Sequence, residues 1–257
     1  MFKNETKRRL LAGQVVLGMG VQQVANVNVA ALALRAGFDF LFIDMEHAPL
    51  DMASVANIAA AALPLSMAGL VRVPGKQSQT ISRLLDSGAQ GIIVPHVDTA
   101  AEAAQAVRAC KYTPIGLRSF LGSQPHFGYA TVPVAEAMAL ANEEILLTVM
   151  LESPEAIANA DAIAAVPGVD VLMIGSNDLS MEMGIAGQVG HAEVQAAYRS
   201  VIEACARHGK MPGMGGVGDP ALIRHYIEMG MRFILSGNDT ELLIAGGQQR
   251  VQALRQG

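Results

Sequence analysis

"VLMIGSNDLS", residues 171–180, runs apolar for four residues, turns at Gly175, and then presents Ser176, Asn177 and Asp178. An apolar run of this kind reads as a strand buried on both faces, where a carboxylate is costly unless something answers its charge. "LLTVMLES", residues 146–153, does the same and closes on Glu152. Similar runs lie near 14–20, 38–44, 68–73, 91–95, 145–151, 169–175, 211–215 and 232–236. Ala-rich amphipathic stretches separate them, such as "DMASVANIAAAAL" at 51–63 and "DTAAEAAQAVRAC" at 98–110. Strands alternating with helices imply right-handed βαβ units and a parallel sheet, and eight such units close a (β/α)8 TIM barrel.

The chain has 257 residues, 51% of them apolar and 16% charged, which suits one large core. We expect one domain over residues 1–257. The longest break is 111–144, where "YTPIGLRSFLGSQPHFGYATVP" reads as an irregular loop and "VAEAMALANEE" as a helix. A net charge of −5 and the lack of a basic run argue against nucleic acid as a partner. No apolar stretch approaches the ~18 residues that cross a bilayer, so no membrane partner is expected. "MFKNETKRRLLAG" has no apolar run behind its charges, so no secretion signal is expected. Cys110 and Cys205 lack partner spacing and read as buried, inert thiols. A soluble, cytoplasmic protein is the expectation.

In such a barrel, reactive groups gather at the C-terminal ends of the strands. "FDFLFID" is followed by "MEHAPLD", which sets Asp44, Glu46 and His47 at one tip. "AGLVRVPG" carries Arg72, "GIIVPHVD" ends in His96 and Asp98, and the fifth and sixth runs end in Glu152 and in Asn177–Asp178. Each has a plainer reading. Asp98 suits a helix N-cap, and Glu152 and Asp178 could cap the segments that follow them. Glu46 could be solvated or paired with an arginine, and His96 could be a rim residue. Two carboxylates on neighbouring strand tips also match the way hard divalent ions are held, with water and substrate oxygens completing the shell. Mg²⁺, Mn²⁺ and Co²⁺ are not separated by this pattern, and no HxxxH or CxxC spacing points to zinc. The five lysines (3, 7, 76, 111 and 210) all lie outside the strand cores, so an imine mechanism is disfavoured.

The stretches "GFDFLFIDMEHAPLD" (37–51), "VRVPG" (71–75), "LLDSGAQGIIVPHVDTAAEAAQAVRACKYTPIGLRS" (84–119), "LESPEAIANADAIAAVPGVDVLMIGSNDLSMEMGIAG" (151–187) and "GHAEVQAA" (190–197) resemble, in this order, the HpcH/HpaI aldolase family. The similarity spans roughly residues 14–245. It implies a (β/α)8 barrel and a divalent metal on Glu152 and Asp178. It also implies reversible cleavage of a 4-hydroxy-2-oxo acid to pyruvate, or a pyruvate-like donor such as hydroxypyruvate, and an aldehyde. His47 matches the family's general base, and Arg72 the residue that stabilises developing negative charge. Asp86 matches an acid that strengthens the histidine, and Asp44 stands where it can orient it. Backbone N–H groups across Gly175, Ser176, Asn177 and Asp178 match a carboxylate cradle. The resemblance further implies trimer-based hexamers with an exchanged C-terminal helix and a site built partly by a neighbouring subunit. Two positions depart from the family pattern: Met150 stands where Gln is frequent, and Ser176–Asn177 where Pro-Ala is frequent. Apart from the resemblance, "GMGGVGD" (213–219) leaves a phosphate-handling isomerase open, and Met150 a non-catalytic 2-oxo-acid binder.

Overall fold

The computed structural model describes residues 1–255. Eight strands form a closed, wholly parallel barrel in sequence order: β1 Val16–Val21, β2 Phe40–Asp44, β3 Ala68–Arg72, β4 Gly91–Val94, β5 Leu146–Leu151, β6 Val171–Gly175, β7 Met211–Gly215 and β8 Phe233–Asn238. Each expected strand is present, with ends displaced by two residues or fewer. Helices alternate with them: α1 Glu5–Leu11, α2 Val29–Ala36, α3 Met52–Ala62, α4 Ser78–Asp86, α5 Ala100–Cys110, α6 Val134–Glu144, α7 Pro154–Ala158, α8 Ala160–Ala164, α9 Ser176–Glu182, α10 Ala192–His208, α11 Pro220–Met229 and α12 Asp239–Arg255.

Alternation along the strands divides the core in two. Leu41, Ile43, Leu147, Val149, Leu172 and Ile174 face the helices, while Phe40, Phe42, Leu146, Met150, Val171 and Met173 fill the barrel. Inside, Phe40 and Phe233 stack with centroids 4.4 Å apart. Gly18 makes room for them, since a Cβ there would fall 2.1 Å from the Phe40 ring. Leu10 of α1 belongs to the same interior cluster and closes it from below. Continuing the inward parity past these residues brings Asp44, Arg72, Glu152 and Gly175 to the open end, with Asp44 and Arg72 side by side in register.

Local capping departs from expectation at two places. Asp98 is not the cap of α5; Thr99 is, accepting the Glu102 N–H, because the Asp98 carboxylate is taken by the Ser153 hydroxyl. Glu152 is not a cap either. Ser153 accepts the Ala156 N–H with Pro154 in the first turn of α7, which leaves Glu152 for the cavity. The charged N-terminal segment, read from sequence only as lacking a signal, forms α1 capped by Asn4. The 111–133 segment lacks regular structure apart from one turn of 3₁₀ helix at Pro125–Phe127, and α6 follows where expected. That segment is anchored under the barrel by buried side chains of Tyr112, Arg118, Gln124 and His126.

Candidate active site

At the C-terminal mouth a cavity of about 430 Å³ opens. Its floor is apolar, formed by Phe42, Met150, Met173 and Leu235, and its walls carry Asp44, His47, Arg72, Glu152 and the Ser176–Asp178 turn. Gln22, Asn238 and Glu241 complete the rim on the β1–β8 side; sequence reasoning had singled out none of the three. Their only signal was position after a strand.

Asp44 is the hub of one wall. Both of its oxygens bind the Arg72 guanidinium, from Nε at 3.0 Å and from an η nitrogen at 2.7 Å, and Gln22 Nε2 donates at 3.2 Å. Its Oδ1 also accepts the backbone N–H groups of Glu46 and His47. Burial alone would raise the Asp44 pKa, but the Arg72 bonds and charge, with the His47 N–H, overcome that and hold it below the usual carboxylate range. Asp44 therefore orients the turn that carries His47 rather than the imidazole itself. The imidazole is largely exposed at the rim, its Nε2 3.8 Å from Glu46 Oε2. Glu46 is neither solvated nor fully bonded. Oε2 stands 3.1 Å from an Arg72 η nitrogen, yet the alignment makes no hydrogen bond.

The opposite wall collects acids. Glu152 is 2% exposed, and its Oε2 accepts the His96 backbone N–H at 2.8 Å. Burial, helped by the charges of Asp178 and Glu46, raises the Glu152 pKa against the opposing influence of His96. Gly175 is required beside it, because a Cβ there would fall 2.5 Å from Glu152 Oε1. Asp178 sits in the first turn of α9, after Gly175 as N-cap, and its carboxylate makes no hydrogen bond or ion pair among the described residues. Ser176 is buried, its hydroxyl 2.7 Å from the Tyr198 hydroxyl, so only its backbone is offered to the cavity.

Two crowded carboxylates, one destabilised as an anion and one unpartnered, form a donor set that fits a hard divalent cation. No group of three or more His, Cys, Asp or Glu side chains placed to hold a metal occurs among the described residues. A divalent ion held here would have these two carboxylates as its protein ligands, with water and substrate oxygens for the rest.

Asp86 is the one expected residue that is not brought to this mouth. Helix α4 runs back toward the N-terminal end of the barrel, and Asp86 at its last turn pairs there with Arg118 at 2.6 Å. No lysine lines the cavity. Lys111 is desolvated, and burial draws its amine down to about 8, but it lies at the opposite end, bonded to the Asn142 and Ile145 carbonyls. Both thiols are buried and free, and burial pushes each up to about 12.

Residues 22–245 match the HpcH/HpaI aldolase/citrate lyase family. The chain belongs to this family. A hydroxypyruvate/pyruvate aldolase of Pseudomonas aeruginosa is 41% identical, covering 94% of this chain and 89% of that one. A 4-hydroxy-4-methyl-2-oxoglutarate aldolase of Hapsidospora irregularis is 39% identical over 96% and 93%. The crystal structure of an HpcH/HpaI aldolase from Desulfitobacterium hafniense superposes with a TM-score of 0.91 at 31% identity, covering 97% of this chain and 96% of that one. Such relatives are aldolases, carbon–carbon lyases, and the enzyme class of this HpcH/HpaI protein follows. No described helix is long and apolar enough to cross a membrane.

Proposed function

We propose that this HpcH/HpaI protein is a metal-dependent aldolase that reversibly cleaves a 4-hydroxy-2-oxo acid to pyruvate, or a pyruvate-like donor such as hydroxypyruvate, and an aldehyde. The observation that carries the reading is the facing of two walls. Glu152 and Asp178 form an uncompensated acidic pair across one cavity from the Asp44–Arg72–His47 assembly. Mg²⁺, Mn²⁺ or Co²⁺ held by the pair would supply Lewis acidity toward the 2-oxo group.

The chain's own residues account for the rest. The backbone N–H groups of Ser176–Asp178 sit at the start of a helix, where intrahelical acceptors are missing, and receive the substrate carboxylate. Arg72 is clamped on two sides by Asp44, so its charge stays fixed next to the cavity without reorganisation as negative charge grows on the oxo oxygen. Preorganised stabilisers of this type contribute about 3–4 kcal/mol. His47 Nε2, at the exposed rim, takes the 4-hydroxyl proton during cleavage and returns it during addition. The apolar floor, with Met150 in place of an amide, surrounds the donor's carbon chain with methyl and ring surface.

Assembly as a trimer-based hexamer with an exchanged C-terminal helix is part of the same proposal. Its support is that α12 leaves Leu242, Leu243, Ile244, Val251 and Leu254 exposed while Leu17 on the outer face of β1 lies uncovered. In such an assembly Asp86 acts on the histidine of a neighbouring protomer, since it does not reach His47 of its own. The cytoplasm is the proposed compartment, in keeping with two buried thiols that have no disulfide partner.

The test couples pyruvate release to lactate dehydrogenase across a panel of 4-hydroxy-2-oxo acids. Turnover is expected with added divalent metal and is lost in chelator. Full turnover in chelator, or no oxo acid cleaved with any of the three metals, overturns the reading.

A further inference from the structure

The ring of His96 is a titratable group at the mouth that the mechanism above does not use. It lies just past β4, and its backbone has φ +51°, in the left-handed region that costs a non-glycine residue energy unless its surroundings impose it. That turn aims the His96 N–H at Glu152 Oε2, at 2.8 Å. It also sets Nδ1 3.3 Å from the same oxygen, and Nε2 3.6 Å from Glu46 Oε1. One imidazole thus spans two carboxylates from opposite walls. Both contacts to Glu152 fall on Oε2. Oε1, packed over Gly175, takes no hydrogen bond among the described residues and stays available to a ligand.

We propose that His96 is a positioning residue for the cation site: by holding Glu152 Oε2 and bracing its ring on Glu46, it presents Oε1 to the ion. This rests on the metal reading of Glu152 and Asp178. The partners that orient a ligand from behind typically account for 10–100-fold in metal affinity.

Mn²⁺ binding to chelator-treated protein, followed by electron paramagnetic resonance, separates the possibilities. His96→Gly deletes the ring but keeps the N–H, and glycine accepts the left-handed backbone freely, so the fold and melting temperature are retained. Its Mn²⁺ affinity is expected to fall about 10–100-fold. His96→Asn, which also tolerates this backbone but is too short to span both carboxylates, is expected to bind as weakly. Wild-type affinity in either variant overturns the proposal. If instead the wild type binds no Mn²⁺, or Glu152→Gln binds as well as the wild type, the metal reading itself fails.

Discussion

At the N-terminal end of the barrel, Lys7 and Lys111 converge on Asp170, Lys3 and Arg8 on Glu144, and Arg118 on Asp86. At the C-terminal mouth, Asp44 on one wall and Glu152 and Asp178 on the other line one cavity, with Glu46 close by and a single arginine among them, and the two histidines beside them are exposed. Both ends carry buried charge, but the closed end pairs each acid with a cation of its own. Such pairing locks loops and termini in place and, within one subunit, builds no ligand site. An excess of acid costs stability in the absence of a cation, and it persists here where a cavity can admit one.

The largest effect that would break this contrast is at Glu152 and Asp178. Glu152→Gln and Asp178→Asn should each lower metal-dependent turnover by on the order of 10³-fold or more, the several kcal/mol expected of a Lewis acid. In chelator, the same variants should melt higher than the wild type, because burial first and the Asp178 charge second raise the Glu152 pKa: Glu152→Gln removes the buried charge and Asp178→Asn the repulsion. Lower melting temperatures would mean that the mouth is held together by these acids, as the closed end is. Next comes His47→Ala, expected to slow cleavage by roughly 10²–10⁴-fold while pyruvate affinity is kept. Equal losses in rate and affinity, measured by steady-state kinetics and pyruvate titration, would make the histidine a binding residue.

The smallest effect sharpens the comparison from the closed end. Burial lowers the pKa of His126 from 6.5 to about 4, although its Nε2 contacts the Ala89 carbonyl at 2.9 Å. Between those two pH values the unfolded chain binds a proton that the folded one refuses. Stability therefore falls as pH falls through this window, by about 3 kcal/mol for this group. In urea melts at pH 6.5 and pH 4, His126→Gln should lose that much less than the wild type. Identical losses would place the acid sensitivity elsewhere.

The strands were legible because each is apolar on both faces, and inward parity then carries Asp44, Arg72 and Glu152 to the mouth without further information. Legibility ended where a residue's role depends on what folds against it. Asp98 looked like a cap but is engaged by Ser153, whose own place was set by β5. Asp86 stands 39 residues after His47 in sequence, and only the return path of α4 shows that the two lie at opposite ends. His96 and Glu46 stood out as strand-tip residues, but no spacing marks their pairing, because their contacts cross from one wall of the cavity to the other. Gln22 was hidden for a similar reason: Asp239, at the start of α12, accepts the N–H groups of residues 22, 23 and 24 and so fixes the segment that brings it to the rim.

The stacked pair Phe40–Phe233, with Leu10 beneath it, makes the barrel a cup rather than a tunnel. Reactants and products must pass through one doorway, and traffic in a dead-end vessel is ordered by depth. On the function proposed above, the partner seated lowest, against Glu152, arrives before the one that rests near His47 and departs after it.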